Sequence, residues 1–193
     1  MSSEGGASRR ALLSGAGSAM AGVGTLALAG CGRAAKTGHK AAAELPRAVK
    51  RRDVAILGQA LELERRTVAA YVAGIPLLGH DQAKTAKQFL NEELQHTGEL
   101  IALITATGAK ASERAASYDL GRPPRDAAGV LSLLHSLEAV QIASYLRWLP
   151  ELSPAPVRAA VATILAADAQ HIAMLRLTQG MTPAPSAFVT GSE

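Results

Sequence analysis

The sequence is poor in aromatic residues and cysteine, and both shortages limit what the chain can be. Phe, Trp and Tyr make up 3% of the 193 residues, whereas hydrophobic residues make up 48%. An interior built mainly from alanine and leucine favours helices over strands. Because Cys31 is the only cysteine, an internal disulfide and a zinc site with paired cysteines are both excluded. A phosphate-binding loop and a Ser/His/Asp arrangement are missing as well.

Acidic residues are scarce at the start of the chain. Residues 1–52 hold nine Lys or Arg and only two acids, whereas residues 53–193 hold eleven Lys or Arg and fourteen acids. The net charge of +4 therefore comes from the N-terminal stretch, and the body is mildly acidic. Because a nucleic-acid partner requires a basic face on the body, this class of partner is excluded.

The N-terminal stretch resembles a twin-arginine export signal joined to a lipoprotein processing site. Arg9 and Arg10 precede Leu12 and an uncharged run, 11–30, that ends in Leu-Ala-Gly before Cys31. A run of this length could also form a transmembrane anchor. The run is mostly Gly, Ala and Ser and adjoins the processing site, which favours cleavage before a lipid-modified Cys31.

The resemblance implies an exported protein attached to the cell membrane by a lipid on Cys31, on the extracytoplasmic face. Its partners would be the membrane and the export and lipoprotein-processing machineries. Residues 1–30 are then the signal peptide, and 31–52 are a flexible basic linker. A folded domain is expected over 53–180, followed by a disordered tail over 181–193.

Capping and helix-breaking residues divide 53–180 into four helices. The predicted helices run from Asp53 to Leu78, from His80 to about Thr107, from about Asp126 to Leu149, and from Ser153-Pro154 to Gln179. Gly and Pro follow most of the predicted ends. The stretch 109–124 carries Gly and two consecutive Pro, so it predicts a long connection between the second and third helices.

Each helix carries an apolar stripe that acidic residues or histidine interrupt at mid-length. In the second helix, Glu93 and His96 are separated by just under one helical turn and therefore project from one face. The interrupting residues are Glu64 in the first helix, Glu93 and His96 in the second, Glu138 in the third, and Asp168 and His171 in the fourth. Because unpaired charge is costly to bury, these residues require a partner.

The interruptions recur at a nearly constant distance along the chain. Glu64 recurs as Glu138 and Tyr71 as Tyr145, with the same separation in both cases. Glu93 recurs as Asp168 and His96 as His171, with a separation that is longer by a single position. The chain is therefore predicted to contain two copies of a helical hairpin related by a two-fold. In each antiparallel hairpin the two acids lie at equal distances from the turn, so they are expected to face one another.

This pattern resembles the ferritin-like fold, an all-α four-helix bundle with a carboxylate-bridged di-metal site. The resemblance covers residues 53–180 and implies a long crossover between helices 2 and 3. It assigns Glu64 and Glu138 as metal ligands, together with the pairs Glu93 with His96 and Asp168 with His171. Glu138 is expected to bridge the two metals. Asp168 stands where the family usually has Glu, and its shorter side chain is expected to leave one metal position weaker or more open.

Charge and ligand type indicate which metals fit. Four carboxylates buried together would repel one another, and two divalent cations would neutralise them. Oxygen-rich ligation with one imidazole per metal suits iron or manganese better than zinc. Two metal ions are therefore expected, with iron favoured over manganese.

The favoured function is that of a di-iron oxidoreductase, a ferroxidase or an enzyme that reduces O₂ or peroxide. A non-catalytic metal-binding or iron-handling module and a manganese catalase-like protein stay open as alternatives, and a homodimer is a further expectation. Tyr71 and Tyr145 lie two turns from Glu64 and Glu138, where they could bond the ligand carboxylates or pass electrons. Three other titratable residues are expected to point away from the site: Glu62, Glu92 and His80.

Overall fold

The computed structural model describes residues 47–192. Four long helices make up most of this part of the chain: α1 (Arg47–Gly74), α2 (His80–Ala106), α3 (Ala127–Trp148) and α4 (Ala155–Thr178). The predicted export signal at Arg9 and Arg10, lipidation of Cys31, and the linker up to residue 46 lie outside the described residues.

The helices form a bundle with the predicted topology. α1 packs on α2 and α3, and α4 packs on α3 and α2. A short turn at Gly79 makes α1 and α2 antiparallel, while Arg52 near the start of α1 donates to the Glu151 carbonyl beyond the end of α3 at 2.5 Å. Helices α2 and α3 therefore run in the same direction, and the chain crosses the bundle between them. The all-α bundle with a long second connection is confirmed.

The ends of α1 and α3 extend the repeat. α1 is followed by a 3₁₀ turn at Ile75–Leu77 that contains Pro76, and α3 by a 3₁₀ turn at Leu149–Glu151 that contains Pro150. Proline lacks an amide hydrogen and clashes with the preceding helical turn, so both α-helices stop before it. The two prolines have the same separation as Glu64 and Glu138, so the repeat includes the helix ends as well as the site.

Two predicted helix starts differ from the structure. α1 is already helical at Arg47, within the predicted linker. Asp53 is therefore not the N-cap; its buried carboxylate instead accepts the backbone N–H of Ser153 at 3.3 Å, at the turn before α4. The N-cap of α4 is Pro154 rather than Ser153, and α4 has no side-chain cap hydrogen bond. Asp126 lies at the predicted start of the third helix and caps α3 by accepting the Gly129 N–H at 2.8 Å.

The apolar core has two layers, one towards each end of the bundle. One layer is centred on Leu57, Leu100 and Trp148, and the other on Phe89 and Leu134. In every helix the acids and histidines of the repeat lie between these layers. α3 and α4 are apolar enough to cross a membrane by length and composition alone. Because each buries a cluster acid against the other helices, we interpret them as core helices.

The crossover 107–126 has no helix or strand in the described chain, and a polar clamp holds it on α1. The Arg65 guanidinium donates to the Ser112 hydroxyl at 3.1 Å and to the Ser112 carbonyl at 3.0 Å. The Ser112 hydroxyl donates to Glu62 at 2.9 Å. Glu62 therefore serves the fold, in agreement with its predicted position outside the site.

The C-terminal tail differs from the predicted disorder. Residues 181–192 form no helix or strand within the described part of the chain, yet they lie on the bundle. Ala169 and Ala173 of α4 line a cavity together with tail residues 183–189. Gly191, with φ +79°, lies so close to α3 that a Cβ atom there would be 2.4 Å from the Ala139 carbonyl oxygen. Glycine is therefore required for this contact.

Candidate metal centre

The bundle brings the six predicted residues together between the two apolar layers. Each of the four helices contributes a carboxylate, and α2 and α4 add an imidazole each. The four carboxylate residues have no exposed surface, and the side chains of His171 and His96 are 1% and 12% exposed. The members are Glu64, Glu93, His96, Glu138, Asp168 and His171. This concentration of acid requires a compensating positive charge.

The cluster divides into two overlapping groups. The His96 group contains Glu64, His96 and Asp168, and the His171 group contains Glu93, Glu138, Asp168 and His171. Within each group the ligand atoms lie within 4.8 Å of one another. Asp168 is common to both, whereas Glu138, which the sequence suggested as a bridge, belongs to one. The shorter side chain of Asp168 therefore does not keep it from either group.

Both imidazoles turn Nδ1 towards the carboxylates. His96 Nδ1 is 3.5 Å from Glu64 Oε2 and 3.5 Å from Asp168 Oδ1. His171 Nδ1 is 3.1 Å from Glu93 Oε1 and 3.4 Å from Glu138 Oε1. Glu93 Oε1 also lies 3.7 Å from His96 Nδ1, between the two rings. Glu93 and Asp168 are thus the acids that approach both histidines.

The two tyrosines bond carboxylates across the repeat. The Tyr71 hydroxyl of α1 donates to Glu138 Oε1 of α3 at 2.8 Å, and the Tyr145 hydroxyl of α3 donates to Glu64 Oε1 of α1. Each tyrosine therefore fixes the acid of the opposite repeat, as a two-fold requires. This arrangement supports the first of the two predicted tyrosine roles, hydrogen bonding to the carboxylates.

The prediction that Glu92 points away from the site is wrong. Its Oε2 lies 2.7 Å from His171 Nε2, the ring nitrogen opposite the cluster. Glu92 lies one residue off the apolar stripe of α2, but its side chain is long enough to reach α4, the helix packed on that side. A carboxylate on the distal nitrogen fixes the orientation of a ligating histidine. The position matching Glu92 in the second repeat is Ala167, so the second repeat offers no corresponding carboxylate for His96.

Sequence reasoning also missed Gln141, which is fully buried and donates through Nε2 to Glu93 Oε2 at 3.2 Å. A polar residue on the buried stripe of α3, just under one turn after Glu138, could have indicated it. His80 behaves as predicted, because its ring is 93% exposed and pairs only with the neighbouring Asp81 among the described residues.

Burial and mutual repulsion determine the protonation of the acids. Desolvation, followed by the charges of Glu138 and Glu64, raises the pKa of Glu93 well above its usual value. Desolvation and the charges of Glu64 and Glu138 raise the pKa of Asp168 similarly. Burial also opposes ionisation of Glu64, but the neighbouring His96 ring and the Tyr145 hydroxyl stabilise its charged form and lower the pKa of Glu64. The metal-free cluster therefore retains protons that cations would displace.

His171 shows the opposite balance. Burial disfavours its charged form, yet the close carboxylates of Glu138 and Glu93 raise its pKa to about 11. Without a metal, His171 is therefore an imidazolium that neutralises part of the acid charge at neutral pH. A metal ligated through Nδ1 would replace that proton, since ligation requires the neutral ring.

The unsatisfied atoms of the cluster fit metal ions. Buried atoms that lack a hydrogen bond in the described chain include Glu64 Oε2, Glu93 Oε1, His96 Nδ1, Glu138 Oε2, both carboxylate oxygens of Asp168, and His171 Nδ1. Every one of the six residues therefore offers at least one unsatisfied atom. Buried polar atoms normally have a partner. Carboxylate oxygens and imidazole nitrogens are ligands that divalent metal ions accept, so the cluster could hold metal.

Comparison with known proteins agrees with this geometry. Residues 52–181 match a family model described as the ferritin-like domain. A crystal structure of the conserved hypothetical protein rv2844 from Mycobacterium tuberculosis is similar in fold, with a TM-score of 0.66 and 22% sequence identity. The match covers 72% of this chain and 99% of that one. No curated protein matches the sequence significantly.

Proposed function

The chain belongs to the ferritin-like domain family, and we propose that it is a di-metal protein that oxidises Fe²⁺ or reduces O₂ or peroxide. The buried cluster of acids and histidines, which could bind metal, is the basis of this proposal. The His96 group and the His171 group would hold one ion each, and Asp168 would contact both.

One observation supports the proposal most strongly. Each of the six cluster residues turns an unsatisfied atom into the same buried site. A cluster that only stabilised the fold would be expected to satisfy its own lone pairs, since unpaired buried polar atoms each cost about 1–3 kcal/mol. Two divalent cations would supply +4 against the four carboxylates and would use the atoms left without partners.

The side chains prepare the site for this chemistry. When bound, the two metal ions would supply electrons and open coordination positions for an oxidant. Tyr71 and Tyr145 hold Glu138 and Glu64 from opposite sides. Glu92 holds the distal nitrogen of His171, so that Nδ1 faces the carboxylates. The apolar layers above and below exclude bulk water, which strengthens these electrostatic interactions.

The cellular location is part of the proposal. The Arg9-Arg10 pair and the Leu-Ala-Gly-Cys31 sequence support export and lipid attachment on the extracytoplasmic face of the membrane. We expect Cys31→Ser to prevent lipidation, and Arg9→Lys combined with Arg10→Lys to block export. Fractionation and lipid labelling test both expectations. A Cys31→Ser chain that still carries lipid would contradict this location.

Metal stoichiometry and oxygen consumption test the function. The chain is loaded anaerobically with Fe²⁺ or Mn²⁺, and bound metal is measured by elemental analysis before O₂ or peroxide is added. Two ions per chain and Fe²⁺-dependent oxygen uptake are expected. Glu93→Gln should lose metal, while Glu99→Gln, an exposed acid two turns along α2, should behave as wild type. Wild-type protein that binds neither metal refutes the di-metal proposal; two ions without reactivity would favour a metal-handling module.

A further inference from the structure

A buried polar pair joins the two repeats beside the cluster. Thr67 of α1 and Gln141 of α3 occupy matching positions of the repeat, and they are 1% and 0% exposed. The Thr67 hydroxyl lies 2.8 Å from Gln141 Oε1 and 3.2 Å from the Leu63 carbonyl oxygen in the preceding turn of α1. The pair therefore links the two repeats directly, and neither residue belongs to the candidate ligand set.

The orientation of the Gln141 amide follows from its two neighbours. Gln141 Nε2 lies 3.2 Å from Glu93 Oε2. The amide nitrogen thus faces Glu93 and the amide oxygen faces Thr67. A Glu93 carboxylate that binds metal is ionised and has only acceptors, so metal binding requires this orientation. The hydroxyl then has to donate to that oxygen. Removing the hydroxyl would remove the group that holds the amide in this orientation.

The network leaves one oxygen of Glu93 free for the site. Oε2 is bonded to Gln141, while Oε1 is 3.1 Å from His171 Nδ1 and has no hydrogen bond within the described residues. Asp168, the repeat counterpart of Glu93, has no hydrogen bond on either oxygen in the same part of the chain. Of the two acids that approach both histidines, only Glu93 is held in place from outside the cluster.

We propose that Thr67 and Gln141 are positioning residues that hold Glu93 so that Oε1 alone faces the two imidazoles. The inference rests on the proposed di-metal function, because it concerns how Glu93 reaches the metal. Two hydrogen bonds in series, from α1 through α3 to α2, make the position of Glu93 depend on the packing of three helices. The side chain is thus oriented before metal arrives, which lowers the cost of ordering it on binding.

The test separates the hydroxyl of Thr67 from its methyl group. Thr67→Val keeps the shape and removes the hydroxyl, whereas Thr67→Ser keeps the hydroxyl and removes the methyl. Mn²⁺ affinity is measured by isothermal titration calorimetry on the full chain, and metal-free thermal unfolding is followed in parallel. We expect Thr67→Val to weaken Mn²⁺ binding by about tenfold, at the lower end for outer-shell partners of metal ligands. Thr67→Ser should bind within about twofold of wild type.

A packing role predicts the reverse order, with Thr67→Ser impaired and Thr67→Val normal, and that result overturns the inference. Wild-type affinity in both variants overturns it as well. Gln141→Met removes both hydrogen bonds at similar volume and should weaken binding at least as much as Thr67→Val, which keeps the test valid if one variant fails to fold. Wild-type protein that binds no Mn²⁺ or Fe²⁺ would refute the di-metal proposal itself, whereas wild-type binding with no loss in these variants refutes only the positioning role.

Discussion

The two groups of the cluster are related by the internal repeat, yet their histidines are held to different degrees. In the His171 group the imidazole is 1% exposed, stacks on Phe89 with ring centroids 4.2 Å apart, and has Glu92 on its distal nitrogen. In the His96 group the ring is 12% exposed, and the residue matching Glu92 is an alanine. The repeat thus supplies two similar groups of candidate ligands, and residues that differ between the two repeats make one of the groups more rigid.

This difference predicts an order of metal binding. A pre-oriented ligand set loses less conformational freedom on binding, so the His171 group is expected to bind the first ion more tightly. The His96 group, with fewer acids and a more exposed ring, is expected to exchange its ion faster. A ferroxidase requires such exchange, because the iron is also its substrate. The asymmetry therefore fits the proposed function better than two equivalent positions would.

Loss of the shared acid should have the largest effect. Asp168→Asn preserves the shape but removes a carboxylate that belongs to both groups. We expect metal affinity at both positions to fall by more than about 100-fold, the upper end for outer-shell partners of metal ligands. The metal-free fold should persist, because burial and the neighbouring acids raise the pKa of Asp168 and so favour its neutral form, which asparagine resembles. Elemental analysis and circular dichroism measure the two quantities. Retention of one tightly bound ion would show that Asp168 serves a single position.

Loss of the contact between Glu92 and His171 Nε2 should affect metal binding at the His171 group only. Glu92→Gln keeps a hydrogen-bond acceptor for His171 Nε2 but removes the charge, and Glu92→Ala removes both. We expect affinity at the His171 group to fall about tenfold in the first variant and up to about 100-fold in the second. The His96 group serves as the internal control. Equal losses at both positions in a two-site titration would contradict the asymmetry.

The sequence predicted the fold and the residues of the buried cluster for a shared reason. Helical periodicity places Glu64, Glu93 and Glu138 on buried stripes, and the internal repeat places them at matching heights. Periodicity describes one helix at a time, and this explains what was missed. The contact of Glu92 with His171 depends on which flank of α2 packs on α4. The bond from Gln141 to Glu93 similarly depends on how far α3 is rotated towards α2.

The helix boundaries show a second limit of local rules. Asp53 has the side chain of an N-cap, but helix-forming residues lie between Arg47 and Asp53, and α1 continues through them. Its carboxylate is used instead at the turn before α4, 100 residues away in sequence. The start of α3 near Asp126 was predicted correctly: Pro123 and Pro124 keep the helix from beginning much earlier, and Asp126 caps it.

The stabilities of the metal-free and the metal-loaded protein should respond differently to pH. The pKa values of Glu93 and Asp168 are raised in the folded chain, so the metal-free fold binds more protons than the unfolded chain above about pH 4. The contribution of His171 is fully present below its ordinary pKa of 6.5 and is lost as pH rises through about 11. Metal-free protein should therefore unfold at lower temperature as pH rises from 5 to 9.

Metal-loaded protein should show the opposite trend in this range. Bound cations replace the protons of the cluster, so binding releases protons and becomes tighter as pH rises. The difference in unfolding temperature between loaded and metal-free protein is expected to widen from pH 5 to pH 9. Calorimetry in buffers of different ionisation enthalpy counts the released protons. A difference that narrows with rising pH would contradict the protonation assigned to the metal-free cluster.

The smallest effects should come from the two tyrosines, and they test the symmetry directly. Tyr71→Phe and Tyr145→Phe each remove one hydroxyl that donates to a buried carboxylate. A hydrogen bond to a charged group contributes about 1.5–3 kcal/mol, and we expect the two losses in the free energy of unfolding to agree within about 0.5 kcal/mol.

The effects of the two variants on metal affinity should differ between the groups. Tyr71→Phe acts through Glu138 on the His171 group, and Tyr145→Phe acts through Glu64 on the His96 group. We expect each variant to weaken its own position by less than about tenfold and to leave the other unchanged, since neither acid is shared. Denaturant unfolding of metal-free protein and a two-site Mn²⁺ titration measure both quantities. If either tyrosine variant weakened both positions equally, the two groups would have to be treated as one coupled site, and the difference in rigidity between His96 and His171 would not set the order of binding.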